Sequence, residues 1–107
     1  MTTQLRNKTA DIAALEEKAG EAARFLKLLA NENRLLILCR LAIAREMSVT
    51  DLAKTVGLSQ SALSQHLAKM REEGFVATRR DAQTIFYSIA DANAARLLSL
   101  LKDIYCP

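Results

Sequence analysis

Two stretches of helical spacing meet at Val56-Gly57-Leu58-Ser59, and this junction constrains the fold more than any other feature of the chain. Gly57 can take the left-handed conformation that ends a helix without a Cβ penalty. Ser59 follows two residues later, and its hydroxyl suits the open N–H groups at the start of a new helix. Upstream, Ser48-Val49-Thr50-Asp51 reads as a capping-box-like start, with Asp in place of Glu, for a helix over residues 50–56. Downstream, the second helix runs to about Glu73, where Gly74 stops it as Gly57 stopped the first. Two helices joined by so tight a turn form a helix-turn-helix.

The pattern then changes. Residues 75–79 and 84–89 alternate with period two, placing Ile85, Tyr87 and Ile89 on one face, and read as two strands. Arg80-Asp81-Ala82-Gln83 connects them as a short polar hairpin turn, and a hairpin directly after a helix-turn-helix is a winged helix. On the other side, residues 11–29 have helical spacing, with Ala22, Phe25, Leu26 and Leu29 on one stripe. Asn31 is placed to cap a helix reaching about Arg45, with its stripe at Leu35, Leu38, Cys39 and Ala42. Asp91 caps a last helix that carries Leu97, Leu98, Leu101, Ile104 and Tyr105 along one side and ends at about Cys106. The predicted fold is mainly α with a small β-hairpin: a loose tail over residues 1–10 and one winged helix-turn-helix domain over 11–107.

Composition agrees. The chain has 107 residues, with 18 Ala and 17 Leu against 3 Gly and 1 Pro, which favours helices over a turn-rich sandwich. Half the residues are hydrophobic, enough for one core without metal or disulfide staples. There is no run of 18 apolar residues to span a membrane and no apolar segment at the N-terminus to direct secretion. Two Cys in such a chain point to the reducing cytoplasm, where a purely structural disulfide is unusual.

On a helical wheel, Leu63, Leu67 and Met70 of the second helix face the core. The outward side carries Ser61, Gln65, Ala68 and Glu72, flanked by Lys69 and Ser64, with Gln60 at the helix start, so its N-terminal half is short, polar and mostly uncharged. A face kept only for solubility would carry Lys and Glu throughout. Short, uncharged Gln and Ser instead suit base edges in a major groove, where Gln pairs with adenine and Ser allows close approach. Arg71, near the end of this helix, and Arg79 and Arg80, on the wing, fall where phosphates are expected. His66 lies at the edge of the core side, as a half-buried packing residue or at most a phosphate contact. The net charge of +3 is compatible with a polyanionic partner and too small to demand one.

Leu29-Ala30-Asn31-Glu32-Asn33-Arg34-Leu35-Leu36-Ile37-Leu38 and Leu58-Ser59-Gln60-Ser61-Ala62-Leu63-Ser64-Gln65-His66-Leu67 resemble the second helix and the recognition helix of the ArsR/SmtB family of bacterial repressors. Glu73-Gly74-Phe75-Val76 and Ile85-Phe86-Tyr87 extend the resemblance in order and spacing over most of residues 22–106. It implies a homodimer through the first and last helices, a near-palindromic double-stranded DNA operator, and a chemical signal that changes DNA affinity.

Metal-sensing relatives carry thiolates in the first helix of the helix-turn-helix, or His and carboxylates in the last helix. Here residues 46–52 lack Cys and the last helix lacks His, so no metal site and no cofactor is expected. Cys39 sits within an apolar stripe, as a small core residue would, whereas Cys106 projects away from the stripe of the last helix. The pair, one Cys in the second helix and one at the end of the last, resembles the persulfide-responsive branch of the family. That resemblance implies a Cys39/Cys106 di- or polysulfide bridge, formed by reactive sulfur species or an oxidant as inducer, that releases DNA. Lys102, one turn before Cys106, favours its thiolate; the helix C-terminus and burial of Cys39 oppose one. The expectation is a cytoplasmic repressor or anti-repressor. A metal-responsive repressor of the same fold is the alternative, and a winged helix that binds only protein is a third reading. No Ser/His/Asp or Cys/His arrangement points to an enzyme.

Overall fold

The computed structural model describes residues 9–107. These fall into two compact units, divided after Asn31. The first contains helices α1 (Thr9–Glu16) and α2 (Ala19–Leu29). The second contains α3 (Glu32–Ala44), β1 (Met47–Ser48), α4 (Val49–Val56), α5 (Gln60–Glu72), β2 (Val76–Asp81), β3 (Thr84–Ile89) and α6 (Ala92–Tyr105). Thr9 and Ala10, expected in the loose tail, open α1; the rest of that tail lies outside the described residues.

The single helix expected over 11–29 is two. Glu17 and Lys18 N–H groups donate to the carbonyls of Ala14 and Leu15, three residues back, at 3.2 and 2.8 Å. These tight turns end α1, and Gly20 adds little helix propensity to carry the chain through. None of α1 is buried, so no packed face enforces continuity. In α2, Leu28 and Leu29 are buried while Leu26 stays 54% exposed, which shifts the expected stripe by part of a turn.

Within the second unit the local punctuation behaves as its chemistry requires. Ser48 Oγ accepts from Asp51 N–H at 3.2 Å, and Ser59 Oγ accepts from Ala62 N–H at 3.1 Å. Gly57 closes α4 at φ 72°, with Leu58 N–H reaching back to Ala53 O at 3.1 Å. Gly74 has φ 80° beside the matching bond from Phe75 N–H to Met70 O at 2.8 Å. Asp91 Oδ1 accepts from Asn93 and Ala94 N–H at 2.7 and 3.3 Å, opening α6. The core joins Ile37, Leu38 and Leu41 of α3, Leu52 of α4, and Leu63, Leu67 and Met70 of α5, all fully buried.

The hairpin strands pair antiparallel from Val76↔Ile89 to Asp81↔Thr84, so β2 begins and ends later than expected and the turn shrinks to Ala82-Gln83. A third strand was not anticipated. Met47 and Ser48 pair with Tyr87 and Phe86, giving the sheet order β1-β3-β2. The chain thus passes from α3 into the sheet before entering the helix-turn-helix.

Ala82 holds φ 56° at the wing tip, a conformation that opposes any Cβ. Ala82→Gly is expected to stabilise the protein by about 0.5–1 kcal/mol, the left-handed penalty less the extra chain entropy of glycine. Ala82→Val is expected to destabilise it. Urea midpoints of the two variants falling on the same side of wild type would refute this.

Candidate nucleic-acid interface and thiol pair

The rotation of α5 is set by its apolar side. With Leu63, Leu67 and Met70 sealed at 0% exposure, Ser61, Ser64, Gln65, Lys69 and Arg71 are left in solvent. Gln60 is the first residue of the helix, held at its start by the Ser59 cap. It lines an open groove of about 340 Å³ together with Ser48, Val49 and Thr50 at the start of α4, and Gln83, Thr84 and Ile85 at the wing tip. The starts of both helices of the helix-turn-helix and the wing tip therefore converge around Gln60. The side chains of Gln60, Ser61, Ser64, Gln65, Lys69, Arg71 and Arg80 have no partner among the described residues.

Arg79 differs from the role expected for it. Its Nε and Nη2 donate to the two carboxylate oxygens of Glu46 at 3.1 and 2.6 Å, and its guanidinium carbon lies 4.7 Å from the Phe86 ring centroid. Glu46 is held below the ordinary carboxylate value, chiefly by this hydrogen bond, which outweighs the opposing effect of burial, with the guanidinium charge adding to it. Arg79 is raised by the same bond. Arg79 is thus engaged within the protein, whereas the side chain of Arg80 has no partner among the described residues. Glu46 carried no signal in the sequence, because what brings it to Arg79 is the pairing of β1 with β3.

His66 is half-buried, and Arg34 Nε donates to its Nδ1 at 3.4 Å. Burial is the main cause that lowers its pKa below 6.5, with the Arg34 charge adding to it. Of the two roles the sequence allowed, this geometry favours packing. The imidazole is neutral and joins α5 to α3.

Cys39 is exposed, which corrects the expectation of a core residue. The buried side of α3 is Ile37, Leu38 and Leu41, not Leu35, Leu38, Cys39 and Ala42. Cys39 lies between Leu36 and Ile43, themselves 43% and 74% exposed. Cys106 caps α6, its N–H donating to Lys102 O at 2.7 Å, and is also exposed. Both thiols are free. Lys102 Nζ lies 3.8 Å from Asp103 Oδ1, an exposed pair. Among the described residues no three His, Cys, Asp or Glu side chains gather as a metal site needs, and no helix is long and apolar enough to cross a membrane.

Residues 31–78 match the family described as bacterial regulatory protein, arsR family. The chain is 44% identical to the HTH-type transcriptional regulator YgaV of Escherichia coli over 91% of its length and 98% of that protein's. It is 42% identical to the transcriptional activator HlyU of Vibrio cholerae, covering 95% and 94% of the two chains. The structure of reduced HlyU from that organism superposes with a TM-score of 0.79 at 45% identity, over 88% of this chain and 98% of that one. The transcriptional repressor BigR from Xylella fastidiosa superposes with a TM-score of 0.81 at 40% identity, over 89% and 96%. These relatives regulate transcription and are not enzymes. The chain belongs to the ArsR family of DNA-binding, winged-helix transcriptional regulators.

Proposed function

We propose that this protein is a cytoplasmic, dimeric repressor or anti-repressor that reads a near-palindromic operator and is switched by reactive sulfur species or oxidants through Cys39 and Cys106. The observation that carries the proposal is the exposure of both free thiols, one on α3 and one at the end of α6. Relatives support it in kind: one neighbour is described as reduced HlyU, and others are named repressors. Exposed Leu100, Ile104 and Tyr105 on α6, and Ile12 and Leu15 on α1, supply apolar surface for the dimer.

In the proposed switch, two thiols and one peroxide give a direct disulfide and two waters. Alternatively, two thiols and two small-molecule persulfides give a trisulfide bridge, two small thiols and one hydrogen sulfide. Intact mass separates the two outcomes, since the first loses only two hydrogens and the second gains sulfur. With 66 residues between the cysteines, the bridge is expected to stabilise the fold by about 4 kcal/mol on the chain-entropy model. Cys39→Ser and Cys106→Ser are each expected to bind DNA normally when reduced and to ignore the inducer. Release of DNA from either variant on persulfide treatment would overturn the switch.

For DNA, Gln60, Ser61, Ser64 and Gln65 are the proposed base readers, and Lys69, Arg71 and Arg80 the phosphate contacts. Gln65→Ala is expected to reduce discrimination between a selected operator and scrambled duplex by about 1–3 kcal/mol. Unchanged discrimination would remove Gln65 from the reading face. Half-sites about 34–36 Å apart are expected from a two-fold dimer.

His66 gives a pH dependence with a defined sign. Its folded pKa lies below its unfolded value, so the unfolded chain binds the proton more readily. This contribution to stability is complete above about pH 6.5 and is lost as pH falls through the depressed value. Urea midpoints should therefore drop less between about pH 7 and pH 5 in His66→Gln than in wild type. An equal drop would show that His66 does not contribute.

A further inference from the structure

We propose that Glu46 is a positioning residue for DNA binding: by holding Arg79 on one face of the wing, it fixes Arg80 on the other face where the duplex backbone passes. The inference rests on the reading of the wing as a DNA contact.

Side chains of successive strand residues point to opposite faces. Arg80 is paired with Ile85, on the face shared with Val76, Thr78, Tyr87 and Ile89. This is the side on which Ile85 lines the groove with Gln60. Arg79 is paired with Phe86, on the opposite face, and Ser48 of β1 is the second partner of Phe86. Glu46 directly precedes β1. One patch therefore spans all three strands: Glu46 at the entry to β1, the Phe86 ring on β3, and the Arg79 guanidinium bonded to the first and stacked on the second.

The patch is built for direction more than for stability. The side chains are 53% and 37% exposed, and exposed ion pairs contribute little to folding. A two-pronged, planar, ring-stacked guanidinium nevertheless has far fewer orientations than a single-point contact. It is needed because β1 joins the sheet through only two paired residues, whereas the outer wing, Arg80 to Gln83, is exposed and no packed core holds it. A tilt of the wing at Arg79 is magnified at its tip.

The test uses anisotropy titrations over a range of salt, with a duplex selected by the wild-type protein from a random library. Arg80→Ala is expected to weaken binding and to lower the salt slope by about 1.8, the value for one phosphate from each protomer of the dimer. Glu46→Gln removes a negative charge, so simple electrostatics predicts tighter binding. The positioning role predicts the reverse: weaker binding, by about tenfold if the Arg80 contact is lost entirely, and a lower slope. Arg79→Lys keeps the charge but loses the fork and the stack, and is expected to behave like Glu46→Gln. In the Arg80→Ala background, Glu46→Gln should have no further effect. Tighter binding with a steeper slope in Glu46→Gln would mean that freed Arg79 reaches phosphate itself, and would overturn the proposal. Additive losses in the double variant would overturn it as well. An unchanged slope in Arg80→Ala would bring down the wing reading, and the proposal with it. Glu46→Gln and Arg79→Lys are surface changes, and thermal melts that match wild type establish that the losses are not unfolding.

Discussion

Everything outward about α5 depends on Leu63, Leu67 and Met70 having no access to water. Burying each such side chain is worth about 1.5–3 kcal/mol, so rotating the helix by even a quarter turn is prohibitive. The polar face carries no comparable weight in folding. Gln60, Ser61, Ser64 and Gln65 are exposed and can change without disturbing the core. The fold thus separates two tasks on one helix: the apolar side fixes where the face points, and the polar side determines what it meets. The Gly57 turn serves the same end, because α4, held by Leu52 and Ala53, sets the angle at which α5 leaves it.

The wing solves a harder problem, since it has little core of its own. Val76, at its base, is buried, but beyond Thr78 the residues of β2 are exposed and the facing Ile85 and Phe86 of β3 only half-buried. Backbone pairing from Val76↔Ile89 to Asp81↔Thr84 keeps the hairpin together without orienting it on the domain. Orientation comes from β1 and from the Glu46–Arg79–Phe86 patch. Two adjacent arginines in the sequence are therefore unequal in the structure. Alternation along the strand puts Arg79 on the face of Phe86, where Glu46 holds it, and Arg80 on the opposite face, exposed and without a partner among the described residues.

The parts legible in the sequence were those fixed by neighbours in the chain. Ser48, Gly57, Ser59, Gly74 and Asp91 each act on backbone groups within five residues, and each sits where its chemistry placed it. The α5 wheel was readable because polar residues interrupt its apolar ones. In α3 they hardly do: Leu35 to Ala44 is apolar except for Arg40, so the helical period is saturated and any stripe looks plausible. That is why the pattern allows Cys39 a place in the core and does not single out Ile37 and Leu41. β1 was invisible for a different reason. Two residues cannot show alternation, and their partners, Tyr87 and Phe86, lie about 40 positions away. Glu46 inherits that invisibility, because its contact with Arg79 exists only once β1 is paired.

These connections give α3 a particular mechanical position. Near its start Arg34 is bonded to His66 of α5, and just past its end Glu46 is bonded to Arg79 of the wing. The helix between them carries Cys39 on its exposed side. A packed interior deforms little, so a displaced helix moves as a body and takes its bonded neighbours with it. Any force that the proposed sulfur bridge applies at Cys39 therefore falls on an element bonded both to α5 and, through the residues just after it, to the wing. A shift too small to disturb the core would still act on Gln65 through His66, and on Arg80 through Arg79. On the proposed reading, base readout by Gln65 and phosphate contact by Arg80 are then weakened together, with no need for either surface to touch the thiols.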